Sequence, residues 1–549
     1  PKGGTLKRFD VGVFDSLNPY ALKGQAASGL NLFYERLMVR VWDEPFTLYP
    51  LIAEKVDVHE NRSGLTVHVN PDARFHDGTP VTAEDVLFSF ETLRDKGRPN
   101  MRRVYKLVET AEKLTDMSVR FRFGEGYDQE TVMILAMMPV LSKAWWQDQD
   151  FSSTILQVPV SSGPYKISSV DPGRQIIYER DPDYWGADLA VNKGHYNFDR
   201  IIFDYYRDDT VAFQAFKSGE IDLRREWNAA QWAGGYDFPA VRRGDVVAEA
   251  VPHQRPERVN ALIFNTRRAP FDDRDVRRAL SMVLDFEWMN VNLFHSQYKR
   301  IESYFPNAHL AAQDSLSDKE MELLAPWEET LPPEIFSGKW HAPKHADRGA
   351  SRRILREASE ILDRAGWIIQ DGVRVKKDDP SQKLSFTISL GSPEHEKIAL
   401  AYKKQLERLG VTANIRVLDS AAFTGRLQSY DYDMVLHYWQ NSLSPGTEQV
   451  LYWTCQAAEQ PGQWNFSGIC DPAVDALSYG IAQAETREDL VAYARALDRV
   501  LMAGYYIIPL YYAGADYVAY RKDVRRPQST PLYGMVLETW WEELAVETE

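Results

Sequence analysis

Basic charge is in short supply along these 549 residues: 64 Lys and Arg stand against 79 Asp and Glu, a net charge of −15 at pH 7. Phosphate backbones are held by concentrated Lys and Arg, so nucleic acid is excluded as a main partner. Cysteine is almost absent, with Cys455 and Cys470 the only two. Neither falls in a Cys-x-x-Cys or Cys/His pattern, so the spacing offers no metal site. The pair brackets a short loop rich in Gly, Pro and Gln. It forms either a disulfide, contributing about 3 kcal/mol through loop entropy, or two free thiols. A loop of that composition needs a clamp, which favours the disulfide. No apolar run reaches the roughly 18 residues of a membrane span. No apolar signal core follows Pro1-Lys2-Gly3-Gly4, and the expectation is either a chain that never carried a leader or one in its processed form. Catalytic signatures are missing too: there is no Gly-x-Ser-x-Gly, His-Glu-x-x-His or phosphate-loop pattern. The alternative to a binding protein is a secreted hydrolase with a glycosidase-like carboxylate pair, because Asp and Glu are plentiful.

Aromatic side chains are what the chain does have, at 12% with 15 Trp and 28 Tyr. They supply large, stiff contact area with polar tips, which suits clefts as well as cores. The length calls for several domain-sized units. Residues 432–439, Tyr-Asp-Met-Val-Leu-His-Tyr-Trp, read as a buried strand that stops at Gln440-Asn441-Ser442-Leu443-Ser444-Pro445-Gly446. Ligands of open α/β sheets sit just past such strand ends. Upstream, Leu384, Phe386, Ile388 and Leu390 alternate, 398–409 is helical, and Val411, Ala413, Ile415 and Val417 alternate again. Strand, helix, strand with short links predicts a parallel βαβ unit, which the 432–439 strand would join.

The first half predicts a strand through Phe9, Val11 and Val13, and a helix carrying Leu30, Phe33, Tyr34 and Leu37. Thr82 and Asp85 form a capping box ahead of a helix burying Val86, Phe90 and Leu93. Thr210 is the expected cap of a helix over 211–218 leading to a strand at 221–223, and Asp272 that of a helix whose Arg274, Arg277 and Arg278 face solvent. Residues 298–350 read as an irregular insertion.

Several segments together resemble the family 5 extracellular solute-binding proteins, the peptide and nickel receptors of ABC importers. They are Phe75-His-Asp-Gly-Thr-Pro-Val-Thr-Ala-Glu-Asp-Val86, Ser162-Gly-Pro-Tyr-Lys-Ile167, Arg180-Asp-Pro-Asp-Tyr-Trp-Gly186 and Phe216-Lys-Ser-Gly-Glu-Ile-Asp222. Phe264-Asn265 with 270–280, Trp464-Asn-Phe-Ser-Gly-Ile-Cys-Asp-Pro472 and Ile508-Pro-Leu-Tyr511 complete the set, in the family's order. Residues 438–449 are most similar to the Yej-type branch, associated with peptides including microcin C-like and peptidoglycan-derived ones. The resemblance implies an α/β, bilobal periplasmic-binding-protein fold of class II, cluster C type. The first lobe would hold 1–49, 160–258 and 515–549, with 50–159 as an inserted subdomain, and the second lobe 259–514. It also implies a periplasmic monomer without cofactor or metal. That monomer would close over a peptide or peptide conjugate and deliver it to an inner-membrane permease with ATPase subunits.

Strand-end geometry and the resemblance together nominate ligand-binding residues: Phe14, Asp15, Trp227, Arg426, Trp439, Gln440, Asn441, Ser442, Trp464, Asn465, Tyr511 and Tyr512. Peptide-binding members commonly carry an Asp a few residues after the aromatic corresponding to Trp439; here Gln440 to Leu443 contain no acid. A buried ammonium needs a charged partner. The expectation is therefore a ligand with a modified amino terminus, such as a muropeptide or microcin C-like peptide, or one whose charge meets Asp15.

Overall fold

The computed structural model describes residues 1–543, and their contacts separate into two units. The first holds Pro1–His253 and the segment from Ala515 onward; the second holds Gln254–Gly514. Residues 544–549, assigned above to the first lobe, lie outside the described residues.

Among the described residues, three sheets of three or four strands build the first unit, beside two two-stranded ones. Thr5–Val11 runs parallel to Arg200–Tyr206, which is followed by the antiparallel strands Gln175–Arg180 and Tyr165–Asp171. A second sheet places Ala515–Arg521 between Leu223–Glu226 and Val246–Pro252, antiparallel to both. This pairing returns the chain's tail to the unit where it began. The third, antiparallel, orders Ala53–Val58, Gly64–Val69, Ser118–Phe123 and Val108–Thr115. Helix Ala83–Lys96 covers it, opened by the Thr82/Asp85 capping box. Val86, Phe90 and Leu93 share a buried core with Leu65, Val67 and Phe121, with the rings of Phe90 and Phe121 5.1 Å apart.

A five-stranded sheet organises the second unit, in the order Thr412–Val417, Ser385–Leu390, Met434–Trp439, Val259–Phe264, Ile507–Pro509. The first three strands are parallel, and Val259–Phe264 is antiparallel to both its neighbours. Helix Glu396–Arg408 connects Ser385–Leu390 to Thr412–Val417, completing the βαβ unit. Both faces are buried: Val435 and Trp439 enter one core, Met434 and Leu436 the other. That accounts for the near-continuous apolar run.

Several expectations are corrected. The spacing of Leu30, Phe33, Tyr34 and Leu37 does not make a helix; only a short 3₁₀ turn, Leu30–Leu32, forms. Tertiary hydrogen bonds take over the backbone there. Phe33 O accepts from Gly163 N, Glu35 O from Val140 N, and Leu37 N donates to Met138 O, each at 3.0 Å. The helix cap at 208–218 is Asp208, not Thr210, and that of Arg274–Met282 is Asp273, not Asp272. The strand expected at 221–223 is Leu223–Glu226. Arg277 is buried instead of solvated, donating to the carbonyls of Phe271, Asp272 and Gly504. The 298–350 insertion is pinned to helix Arg487–Ala503. Asp498 accepts from Ser303 Oγ and from the amides of Tyr304 and Ala312, while Arg499 donates to Glu320 and the carbonyls of Gln313 and Ser315.

Candidate ligand-binding site

Side chains on a strand alternate between faces, and both faces of Met434–Trp439 are covered, so what packs on each one decides what the strand end presents. Trp439 points inward and is only 2% exposed. Its ring packs against Trp453 at 4.8 Å and Phe466 at 5.5 Å, and Nε1 donates to Trp464 O at 2.9 Å. The residue most strongly nominated for ligand contact is therefore a core residue of this unit. Beyond it, Gln440 is exposed, with its carbonyl accepting from Tyr452 OH. The amide of Asn441 is engaged by the protein itself, donating to Tyr304 O at 2.8 Å and Glu257 O at 3.3 Å. Ser442 Oγ accepts from Ser444 N.

The other nominated residues divide similarly. Cys455 and Cys470 are joined as a disulfide, and within the loop they close Trp464 is 41% exposed while Asn465 is fully buried. Asn465 donates to Thr454 O and Ile469 O and accepts from Ile469 N, so it clamps the loop. Arg426 is held in an ion pair with Asp431 at 2.9 Å. Tyr511 stacks on Tyr298, centroids 4.5 Å apart, and Tyr512 pairs through its backbone with Lys299. In the first unit Phe14 is buried against Tyr205, and Asp15 Oδ1 accepts from Gln25 N. Trp227 is 74% exposed, with the Arg225 guanidinium 4.1 Å from its ring. It is the most open of the nominated aromatics.

What the second unit does offer at these strand ends is a cavity of about 400 Å³. Among its walls are Arg258, Asn260, His395, Phe423, His437 and Tyr438. Asn260 stands opposite Tyr438 in the antiparallel register, and its amide donates to Tyr511 O. The Arg258 guanidinium lies 4.9 Å from the centre of the Tyr438 ring. His437 sits between rings, 5.9 Å from Phe423 and 4.9 Å from Phe466. Burial, helped by the nearby His395, lowers its pKa to about 4, so it is neutral at pH 7. Burial also lowers that of His395, an effect Lys397 adds to and Glu394 opposes. The result, among the described residues, is an aromatic recess with hydrogen-bonding capacity, no acidic wall residue and one cation, Arg258. Such chemistry binds a ligand by shape and hydrogen bonds. Among the described residues no group of three or more His, Cys, Asp or Glu side chains could hold a metal ion.

Sequence reasoning nominated neither His437 nor Tyr438 for the ligand, and missed Arg258, Asn260, His395 and Phe423 as candidate site residues. They meet His437 and Tyr438 only through strand pairing and loop placement, for which the local sequence carries no signal.

Comparison with known proteins agrees with the fold. The family model described as bacterial extracellular solute-binding proteins, family 5 middle, matches residues 47–461. Peptidoglycan-binding protein YepA of Agrobacterium fabrum (strain C58) is 41% identical, over 98% of this chain and 90% of its own length. From the same organism, the protein named "Probable peptide-binding protein YejA" is 38% identical, over 98% and 89%. The crystal structure of NikA from Brucella suis in complex with Fe(III)-EDTA superposes with a TM-score of 0.72 at 17% identity, covering 98% of this chain and 99% of that one. A match to the family model across most of the chain, with YejA-type relatives aligned nearly end to end, makes this chain a member of the family 5 extracellular solute-binding proteins, in their YejA-like branch.

Proposed function

We propose that this chain is the periplasmic binding protein of an ABC importer, capturing peptides or peptide conjugates and delivering them to an inner-membrane permease with its ATPase subunits. The observation that carries the reading is the aromatic cavity at the carboxyl ends of Ser385–Leu390 and Met434–Trp439, lined by Gly391, Ser392 and residues of the latter strand, with Arg258 as its one Lys or Arg. Extended peptides bring unpaired backbone groups that such a site satisfies with strand-like hydrogen bonds. Their varied side chains are accommodated with water in roomy recesses. The names of the aligned relatives, a peptidoglycan-binding and a peptide-binding protein, support the same ligand class. ATP hydrolysis belongs to a partner, because the chain carries no phosphate-loop motif.

A modified amino terminus remains the favoured ligand feature. Residues 440–443 hold no acid, and Asn441 among them spends its amide on backbone carbonyls. Native mass spectrometry of freshly purified protein reads out a retained ligand's mass. Thermal shift against free peptides, amino-blocked peptides and muropeptides follows; ligand at 100 times its Kd stabilises by about 2.7 kcal/mol. Blocked peptides or muropeptides are expected to raise the midpoint more than free peptides. No adduct and no shift with any of the three refutes the reading.

A further inference from the structure

We propose that the groove walled by Trp288, Val291, Arg348, Arg352 and Arg408 is a docking surface for an acidic segment of a second protein, anchored by an apolar side chain. The groove, about 650 Å³, takes its walls from three helices of the second unit: Phe286–Phe294, Arg348–Arg364 and Glu396–Arg408. It is separate from the recess at the strand ends. His395, which lines that recess, stands just before helix Glu396–Arg408, and Arg408 ends that helix. At the helical rise the two lie about 20 Å apart. Helix Phe286–Phe294 buries Phe286, Met289 and Phe294. Trp288 and Val291, three residues apart and so on one face, are 47% and 62% exposed. An open indole beside an open valine is contact area of the kind that anchors a protein partner.

The polar walls hold more free donors than free acceptors. Asp285 accepts from Trp288 N, Glu287 from His345 N and Asp347 from Ala350 N, so the acids of the groove are engaged on backbone amides. Asp285 and Asp347 also cap helices, whose positive ends offset part of their charge. The arginines are not engaged in this way. Among the described residues Arg348 and Arg352 have no carboxylate partner, and Arg408 donates to the neutral Gln405. Other arginines of this unit are ion-paired: Arg268 with Asp431, Arg374 with Asp363 and Arg499 with Glu320. Arg348 moreover opens its helix, where the dipole disfavours a cation. That helix carries no acid before Glu357, which lies 3.5 Å from Arg278. A chain of net charge −15 thus gathers uncommitted guanidinium groups around an exposed Trp, and such groups grip carboxylates with two parallel bonds. The complementary partner brings Asp or Glu on either side of a Leu or aromatic residue. A concave groove admits a protruding segment of protein, whereas a bilayer presents a broad surface that cannot enter it.

The probe is the segment Glu-Asp-Leu-Glu-Glu-Phe-Glu-Asp displayed in a surface loop of a carrier domain, with a counterpart carrying Gln and Asn in place of every acid. Fluorescence anisotropy of the labelled carriers reads binding to the full chain, and hydrogen exchange followed by mass spectrometry locates it. The acidic carrier is expected to bind about tenfold more tightly than its amide counterpart and to protect 285–292 and 345–353. The double variant Arg348→Gln with Arg352→Gln, at exposed positions, is expected to weaken binding about tenfold at an unchanged thermal midpoint. Arg352→Lys alone should keep part of the affinity, and Trp288→Ala should lose the preference for Leu and Phe over Ser in the probe. Equal binding of the two carriers, undiminished affinity in the double variant, or protection confined to 391–395 and 436–438 overturns the proposal. Co-sedimentation with phosphatidylglycerol vesicles that the double variant loses, while neither carrier binds, assigns the groove to a membrane and overturns it too.

Discussion

Glu35 offers the sharpest quantitative test of the packing in the first unit. It is buried, with one carboxylate oxygen accepting from Tyr184 OH at 2.7 Å and the other, Oε2, without a partner. Burial outweighs the Tyr184 bond and the nearby Arg36, pushing the carboxyl from its ordinary 4.5 up to about 8. The sign follows directly. Below pH 4.5 both folded and unfolded chains hold the proton and there is no cost. As pH climbs through 4.5 towards 8, the unfolded chain ionises first and the folded state loses ground. At 1.36 kcal/mol per pKa unit, the cost is about 3 kcal/mol at pH 7 and about 5 kcal/mol well above pH 8. Glu35→Gln keeps an acceptor for Tyr184 and removes the ionisation. Urea unfolding followed by far-UV circular dichroism, at pH 4, 5, 6, 7 and 8 for both proteins, isolates this group because every other titration cancels. The variant is expected to gain on wild type by about 1.4 kcal/mol per pH unit between pH 5 and 8. Parallel stability profiles across that range refute the reasoning.

Replacing Cys455 and Cys470 by Ser opens a loop of sequence separation 15; the expected loss is about 3 kcal/mol, read as a lower thermal midpoint that reductant reproduces on wild type. Asp498→Ala strands three donors, Ser303 Oγ and the Tyr304 and Ala312 amides. At about 1–3 kcal/mol each the insertion should loosen, and limited proteolysis should cut within 303–342; an unchanged digest contradicts the anchoring. His437, with its pKa depressed to about 4, contributes stability that is present above pH 6.5 and lost as pH falls to 4. Relative to His437→Asn, wild type should lose about 3 kcal/mol over that window, and equal acid sensitivity counts against the burial argument. Trp439→Phe keeps a buried ring but drops the Nε1 bond to Trp464 O, for an expected cost of about 1 kcal/mol with ligand affinity little changed; a large affinity loss at constant stability would return Trp439 to the ligand.

The amino-acid pattern by itself determined which segments could be strands and helices, and which family they compose. Val435 and Leu436 within an unbroken apolar run specify a strand covered on both faces, and the structure buries both. Thr82 with Asp85 specifies a helix start because the two satisfy each other's backbone within one turn. These are local relations, complete within a few residues. The candidate site is not local. Leu436, His437 and Tyr438, from both faces of the strand, line the cavity, while Trp439 is enclosed by Trp453 and Phe466; burial on both sides erases the alternation that would have separated them. Arg258 and Tyr438 lie 180 positions apart, and the ring contact between them arises from the antiparallel register of Val259–Phe264 on Met434–Trp439. Leu30 to Leu37 shows the opposite failure, a helical spacing overridden because Gly163, Val140 and Met138 claim the backbone groups. Short-range hydrogen bonds and capping can be read along the chain. Which side chain faces a ligand was decided only by tertiary structure, because register and partner choice are settled by the packing of distant segments.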